Sequence, residues 1–160
     1  MELKLTNGKV AIVDEEDYNN LIKYKWYATL GKSGYYAKSN RVGYMHRFIV
    51  KTPPNMITDH INHNTLDNRK SNLRICTYGQ NKMNSSAKKN GKSKYLGVSV
   101  IKNIRKHKQN TKIYIYYLAE ISKDCKVIYS KLFKIELDAA KQYDNWAKEV
   151  HGEFANLNFK

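Results

Sequence analysis

Thr58-Asp59-His60-Ile61-Asn62-His63-Asn64 is followed by Asp67-Asn68-Arg69-Lys70-Ser71-Asn72-Leu73-Arg74-Ile75 and then by Gln80-Asn81. An acid stands beside a histidine, and asparagines return 12 and 21 residues after that histidine. A carboxylate, an amide oxygen and an imidazole are the parts needed to hold one hard divalent cation and to activate a water. Oxygen donors of this kind suit Mg²⁺ or Mn²⁺, whereas sulfur or several imidazoles would suit zinc. A zinc site on His60 and His63 is not expected, because no further His or Cys lies at suitable spacing. His60 is the candidate general base, since an imidazole titrating near 6.5 accepts a proton at neutral pH at little cost.

Working outward, the chain has 160 residues with 29 Lys+Arg against 14 Asp+Glu, a net charge of +15. Such a field attracts a polyanion, most often nucleic acid and less often an anionic membrane. Its distribution sharpens the point. No acid lies between Asp67 and Glu120, while thirteen basic residues do, from Arg69, Lys70 and Arg74 to Lys108 and Lys112. The 13 tyrosines suit half-wet surfaces, nucleic-acid faces included. No apolar run approaches a membrane span and the N-terminus does not read as a signal peptide, so no membrane partner is expected. Cys76 and Cys125 form no CxxC pair and read as small buried or half-buried thiols in a reducing compartment. The expected location is intracellular.

Leu3 to Val13 reads as a hairpin turning at Asn7-Gly8. Asp14 then reads as an N-cap, with Asp17 as its N3 acid, opening a helix to about Lys25. Trp26–Ala28 and Tyr35–Lys38 read as strands, Tyr44–Ile49 as a strand or short helix, and Pro53-Pro54 breaks the chain before the motif. Ser85 to Ser93 is polar and basic, a linker expected to stay mobile until DNA binds. Beyond it, Ile113, Ile115, Tyr117, Ala119 and Ile121 alternate with Tyr114, Tyr116, Leu118 and Glu120, a strand with two distinct faces. Tyr95–Ile101 and Lys126–Phe133 flank it as strands. Ala140, Tyr143, Ala147 and Val150 mark one face of a helix that Gly152 stops.

The Asp-His…Asn…Asn run resembles the HNH nuclease motif in its phage and intron form. The resemblance implies a ββα-metal core over about 56–86. Its first strand would run Ile57–Ile61, its second Leu73–Cys76, and its helix would start over Gln80–Ser85. It further implies metal-dependent hydrolysis of a DNA phosphodiester, with Asp59 and Asn81 holding Mg²⁺ or Mn²⁺. Asn72 would orient the base, by holding the loop or the imidazole, and Asn68 is a weaker candidate for the same loop. A His46-Arg47 pair recurs upstream in relatives, and Arg47 could clamp a phosphate; His46 could equally be a structural residue. His63 stands where relatives often have Gly. His107 and His151 read as surface or packing residues.

Ser93-Lys94-Tyr95-Leu96-Gly97-Val98, Ala139-Ala140-Lys141-Gln142-Tyr143-Asp144 and His151 to Phe159 resemble the AP2 DNA-binding domain. That implies a three-stranded antiparallel sheet laid in the major groove with a helix behind it. Leu96, Ser99 and Ile101 replace the basic base-readers of plant AP2 strands, so readout is expected to shift. The candidates are Lys102, Arg105, Lys106 and Lys108 in the loop before the second strand, with Tyr114 and Tyr116. The favoured alternative is that the loop lysines touch only phosphates, which position without specifying. Lys94, Arg69 and Lys70 are further candidate DNA contacts.

The expected architecture is α+β: a nuclease region over 1–86, a basic linker over 87–92 and an AP2-like domain over 93–160. The expected function is a homing-type endonuclease acting on double-stranded DNA as a monomer that nicks one strand per site, in the cytoplasm of a bacterial host if phage-encoded. Two rivals remain open: a non-catalytic DNA-binding regulator that keeps the HNH shape, and an RNA-binding protein.

Overall fold

The computed structural model describes residues 1–85, 91–107 and 110–159, with Lys106, His107 and Asn110 described by backbone alone. Of the expected linker, residues 87–90 lie outside the described residues, as does Lys108. The chain divides into two compact units, Met1–Asn81 and Lys82–Lys160. Both mix helices with small antiparallel sheets, an α+β architecture. Among the described residues no helix is long and apolar enough to cross a membrane.

In the first unit, β1 (Glu2–Lys4) and β2 (Val10–Ile12) pair antiparallel, with Leu3 opposite Ala11. The turn between them places Gly8 at φ +80° and lets its N–H donate to the Leu5 carbonyl. Asn7 has a second use: its amide exchanges hydrogen bonds with the backbone of Ala28 in both directions, at 2.8 and 3.0 Å. The hairpin is thereby fastened to β3 (Tyr27–Gly31), which pairs with β4 (Gly34–Ser39) and through it with β5 (Gly43–Tyr44).

The first helix, α1 (Glu15–Leu21), is shorter than its sequence pattern suggests. The Leu21 carbonyl accepts hydrogen bonds from the Trp26 indole at 2.8 Å and from the Tyr24 N–H at 3.1 Å. Both turn the chain away from the helix axis. Asp14 sits at the N-cap position without capping the helix through its side chain. Its carboxylate accepts the Lys70 N–H at 2.7 Å instead, trading a local bond for one that spans 56 residues.

The segment at Tyr44–Ile49 resolves as the helix α2 (Met45–Val50), which ends on Lys51 in the left-handed conformation at φ +50°. Leu3, Leu5, Ala11, Val13, Leu21, Trp26, Ala28, Ala37 and Met45 form the buried core, and Phe48 packs edge-on against Tyr24 and Trp26. Against this core stand β6 (Ile57–His60) and β7 (Leu73–Cys76), antiparallel in the register Ile57↔Cys76 to His60↔Leu73. The helix α3 (Tyr78–Met83) follows.

In the second unit, β8 (Val98–His107), β9 (Asn110–Lys123) and β10 (Lys126–Phe133) form a three-stranded antiparallel sheet with β9 central. Asp124 and Cys125, at φ +50° and +63°, make the tight β9–β10 turn, which leaves Cys125 exposed at its tip. The expectation that both thiols would be at least half buried therefore fails for Cys125 and holds for Cys76. The 16-residue helix α4 (Glu136–His151) lays Ala139, Ala140, Tyr143 and Ala147 on Val98, Ala119 and Ile121, small residues that allow a close approach. Asn158 closes the unit by exchanging hydrogen bonds with the Leu96 backbone and donating to Asp144, whose carboxylate also accepts the Phe159 N–H.

Gly97 carries the tightest steric demand here. It sits at φ +70°, and a Cβ added to it would lie 1.9–2.0 Å from two carbons of the Tyr143 ring. Gly97→Ala is therefore expected to destabilise the second unit by about 3 kcal/mol or more, through left-handed backbone strain and overpacking together. Thermal unfolding followed by near-UV circular dichroism of the stacked Tyr129–Trp146 pair reads this directly. A melt within a degree of the parent's would show that the ring moves aside at no cost.

Candidate active site

Register places the motif. His60 closes β6 opposite Leu73, and Asp59 faces Arg74 across the β6–β7 ladder. Alternation of side chains along a strand sends Asp59 and His60 to opposite faces, and both are buried, at 7% and 5% exposure.

The loop between the strands is held by amides. Asn72 accepts the Asn62 N–H on its Oδ1 at 2.9 Å and donates its Nδ2 to the Asp67 carbonyl at 2.8 Å, while the Asn72 carbonyl accepts the Ile61 N–H. Of the two roles open to Asn72, the geometry places it on the loop. The amide that meets the imidazole is that of Asn68, fully buried, with its Oδ1 3.5 Å from His60 Nε2. Asn68 Nδ2 donates to the Leu66 carbonyl at 3.1 Å. A flipped amide would turn its oxygen onto that carbonyl, so Oδ1 is the atom facing the ring. An oxygen there favours the tautomer with its proton on Nε2. His63 follows with φ +63°, the left-handed conformation that glycine adopts without cost.

Aromatic rings enclose the histidine. His46 of α2 stands edge-on to His60 with ring centroids 5.0 Å apart, and Tyr36 of β4 lies 6.0 Å away. Tyr44 stacks on His46 at 5.5 Å. Burial pushes the His60 imidazole below the ordinary histidine range, opposed by the Asn68 contact and the charges of Asp59 and Asp67. His60 is therefore neutral, and able to take a proton, at pH 7.

His46 is pushed down further, to about 3, first by burial and then by the charges of His60 and Arg47. Its Nδ1 is buried with no hydrogen-bond partner among the described residues. The folded state thus prefers neutral His46. Above pH 6.5 neither state binds the proton and there is no effect; between 6.5 and about 3 the unfolded chain takes it up and the fold loses stability. At about 1.4 kcal/mol per pH unit the loss nears 4–5 kcal/mol at pH 3. Urea midpoints at pH 7 and pH 4 should differ in the parent and differ less in His46→Phe; equal differences in both would remove this account.

The helix carrying Asn81 begins in a capping box that the sequence reading overlooked, although Thr77-Tyr78-Gly79-Gln80 has the pattern. Thr77 Oγ1 accepts the Gln80 N–H at 3.2 Å and Gln80 Oε1 accepts the Thr77 N–H at 2.9 Å. Asn81 lies in the first turn, half buried, its N–H donating to the Thr77 carbonyl. No hydrogen bond among the described residues joins the Asn81 side chain to Asp59 or His60.

Arg74 was also overlooked. Its Nε and Nη2 both donate to Asp59 Oδ2, at 2.9 and 2.7 Å, with the two side chains 14% and 9% exposed. Among the described residues no group of three or more His, Cys, Asp or Glu is placed to hold a metal. By donor type alone, a carboxylate and a carboxamide suit a hard cation and not a soft one.

The basic candidates fall into different settings. Arg47 is exposed on α2 beside an open groove of about 450 Å³ that Lys23 and Lys51 also line. Arg69 folds back on Asp67 at 2.7 Å, and Lys70 meets Glu16 at 2.5 Å and Asp17 at 3.2 Å, so each has a carboxylate within its own unit. Lys94 is exposed over the Tyr95 ring. Lys102, Arg105 and Lys106 do not lie in a loop: β8 runs on to His107, because Ile101, Ile104, Ile113 and Ile115 extend the ladder with β9. That register puts Lys102, opposite Ile115, on the face shared with Val98 and Ala119 that packs α4. It puts Arg105, Tyr114 and Tyr116 on the other face. Arg105 stands over the Tyr114 ring.

A two-stranded hairpin ending in a buried Asp-His pair, followed by a capped short helix, is the ββα arrangement of an HNH nuclease. An HNH endonuclease family model matches residues 44–83, from the end of β5 through α3. Over 159 residues the chain is 37% identical to an HNH endonuclease of Acanthamoeba polyphaga mimivirus that is itself uncharacterised, spanning 94% of this chain and 75% of that protein. No solved structure matches. The chain belongs to the HNH endonuclease family.

Proposed function

We propose that this chain is a metal-dependent, homing-type DNA endonuclease of the phage and intron kind, cutting one strand per active site. The observation that carries the reading is the buried His60, enclosed by Asn68, His46 and Tyr36 and adjoining Asp59. Hydrolysis of a phosphodiester needs a nucleophilic water, charge stabilisation at phosphorus and help for the departing 3′ oxygen. His60 Nδ1 takes the proton of the attacking water as its oxygen bonds to phosphorus and the P–O3′ bond breaks. Asn68 keeps the ring in the tautomer that has this lone pair, and Asn72 holds the loop that carries Asn68. Asp59 and Asn81 would hold Mg²⁺ or Mn²⁺, which supplies positive charge to the phosphate and the leaving oxygen.

The second unit is proposed as an AP2-like module for duplex DNA. Its support is the three-stranded sheet with one helix behind it, and the grouping of Arg105, Lys112, Tyr114 and Tyr116 on the face away from that helix. Residues 1–92 carry 16 basic and 7 acidic side chains and residues 93–160 carry 13 and 7, so both parts attract DNA in a salt-dependent way.

Supercoiled plasmid is the direct test. Nicked circles are expected with Mg²⁺ or Mn²⁺ and none with EDTA, and a chain ending near Lys92 should still nick but bind more weakly. Binding with no nicking in any metal would favour a non-catalytic regulator. Cleavage that persists in EDTA would point to another mechanism. A truncated chain as tight and selective as the whole would remove the targeting role.

A further inference from the structure

Asp59 supplies the single negative charge among the candidate cation ligands, since Asn81 brings an uncharged amide. That charge is already matched. Arg74 faces Asp59 across the β6–β7 ladder and directs two donors at one carboxylate oxygen, Oδ2. The Arg69–Asp67 pair in the same loop differs: its donors reach both carboxylate oxygens and its arginine is half exposed, at 46%. The Asp59–Arg74 pair is the buried one, and removing a charge from water is costly unless a partner compensates it. A divalent cation arriving at Asp59 would meet the guanidinium at contact distance and be repelled by it.

A phosphodiester resolves the conflict. Its two non-bridging oxygens offer the guanidinium fork the same planar match that a carboxylate does. We propose that Arg74 is a phosphate-binding catalytic residue held in reserve on Asp59, moving to the scissile phosphate when DNA enters and so freeing the carboxylate for the divalent cation. Metal and DNA then bind cooperatively, each raising the affinity of the other by the same factor. This rests on the metal-dependent nuclease reading of the site.

The test measures metal binding by the full-length chain, reading unbound Mn²⁺ by electron paramagnetic resonance, with and without a duplex and in a His60→Ala background that prevents cleavage. Arg74→Gln, which keeps a hydrogen-bond donor but removes the charge, is expected to bind Mn²⁺ at least tenfold more tightly than Arg74 protein when DNA is absent. Duplex should tighten Mn²⁺ binding about tenfold with Arg74 in place and hardly at all in the variant. Arg74→Lys keeps the charge without the fork; it should hold Mn²⁺ affinity low without DNA and lose most of the gain on adding duplex. It also serves if the glutamine variant does not fold. Equal or weaker Mn²⁺ binding by Arg74→Gln would overturn the proposal and make Arg74 a support for the carboxylate. Unchanged Mn²⁺ binding in an Asp59→Asn, Asn81→Ala double variant would instead show that no metal binds here, which is failure of the underlying reading.

Discussion

His60→Ala should cut the rate of plasmid nicking by about 10²–10⁴ while leaving affinity for the same DNA within a factor of two or so. The ring is 5% exposed, and removing it takes nothing from a net charge of +15. A gel shift at two salt concentrations checks the binding, and single-turnover nicking checks the chemistry. The acidic limb of the pH–rate profile should lie below 6.5 in the parent, because burial lowers the His60 pKa. Asn68→Ala should reduce the rate too, but with a signature of its own. Without the Oδ1 acceptor the imidazole proton redistributes between the two nitrogens, which long-range ¹H–¹⁵N spectra of the histidine rings report. Nicking by His60→Ala at the parental rate would remove this residue as the base.

Asp59→Ala is expected to do two things at once. Nicking should fall below detection, since the site loses its carboxylate. The fold should also weaken by about 3–5 kcal/mol, the cost of leaving one partner of a buried ion pair uncompensated, because Arg74 is 14% exposed and its Nε and Nη2 both bond to Asp59. A second substitution separates the effects. Asp59→Ala combined with Arg74→Met removes both charges, so it should recover most of the lost stability and none of the activity. Urea denaturation of the two single variants and the double variant gives the coupling between the residues. If Asp59→Ala is as stable as the parent, the pair is water-exposed in solution and its described geometry does not persist.

Most of the secondary structure was legible along the chain, because strands and helices announce themselves through local period. Alternation from Ile113 to Ile121 marks β9, and the Ala140, Tyr143, Ala147, Val150 spacing marks α4. Errors fall where a distant group overrides a local preference. The Leu21 carbonyl is captured by the Trp26 indole, so α1 stops early, and Asp14 caps a backbone N–H 56 residues away instead of its own helix. β8 extends through a basic stretch that reads as loop, since its partner strand supplies a ladder that sequence spacing does not reveal.

The candidate site divides along the same line. The order Asp59, His60, Asn72, Asn81 is a property of the sequence, and the family resemblance set the acid and the histidine together on one strand, β6. Charge is equally plain, because it needs no geometry to be counted. Which amide meets the imidazole was open until the loop from Ile61 to Asn72 closed, for its path is set by Asn72 and Asp67 bonding back on it, and that brings Asn68 to His60. The partner of Asp59 was equally hidden: Arg74 lies 15 residues away, and only the register of two paired strands sets it opposite. Sequence by itself determined the residue types, their order and the sign of the field. Tertiary structure decided which of them touch, because contact between residues far apart in the chain depends on strand register and loop closure, and neither leaves a local pattern.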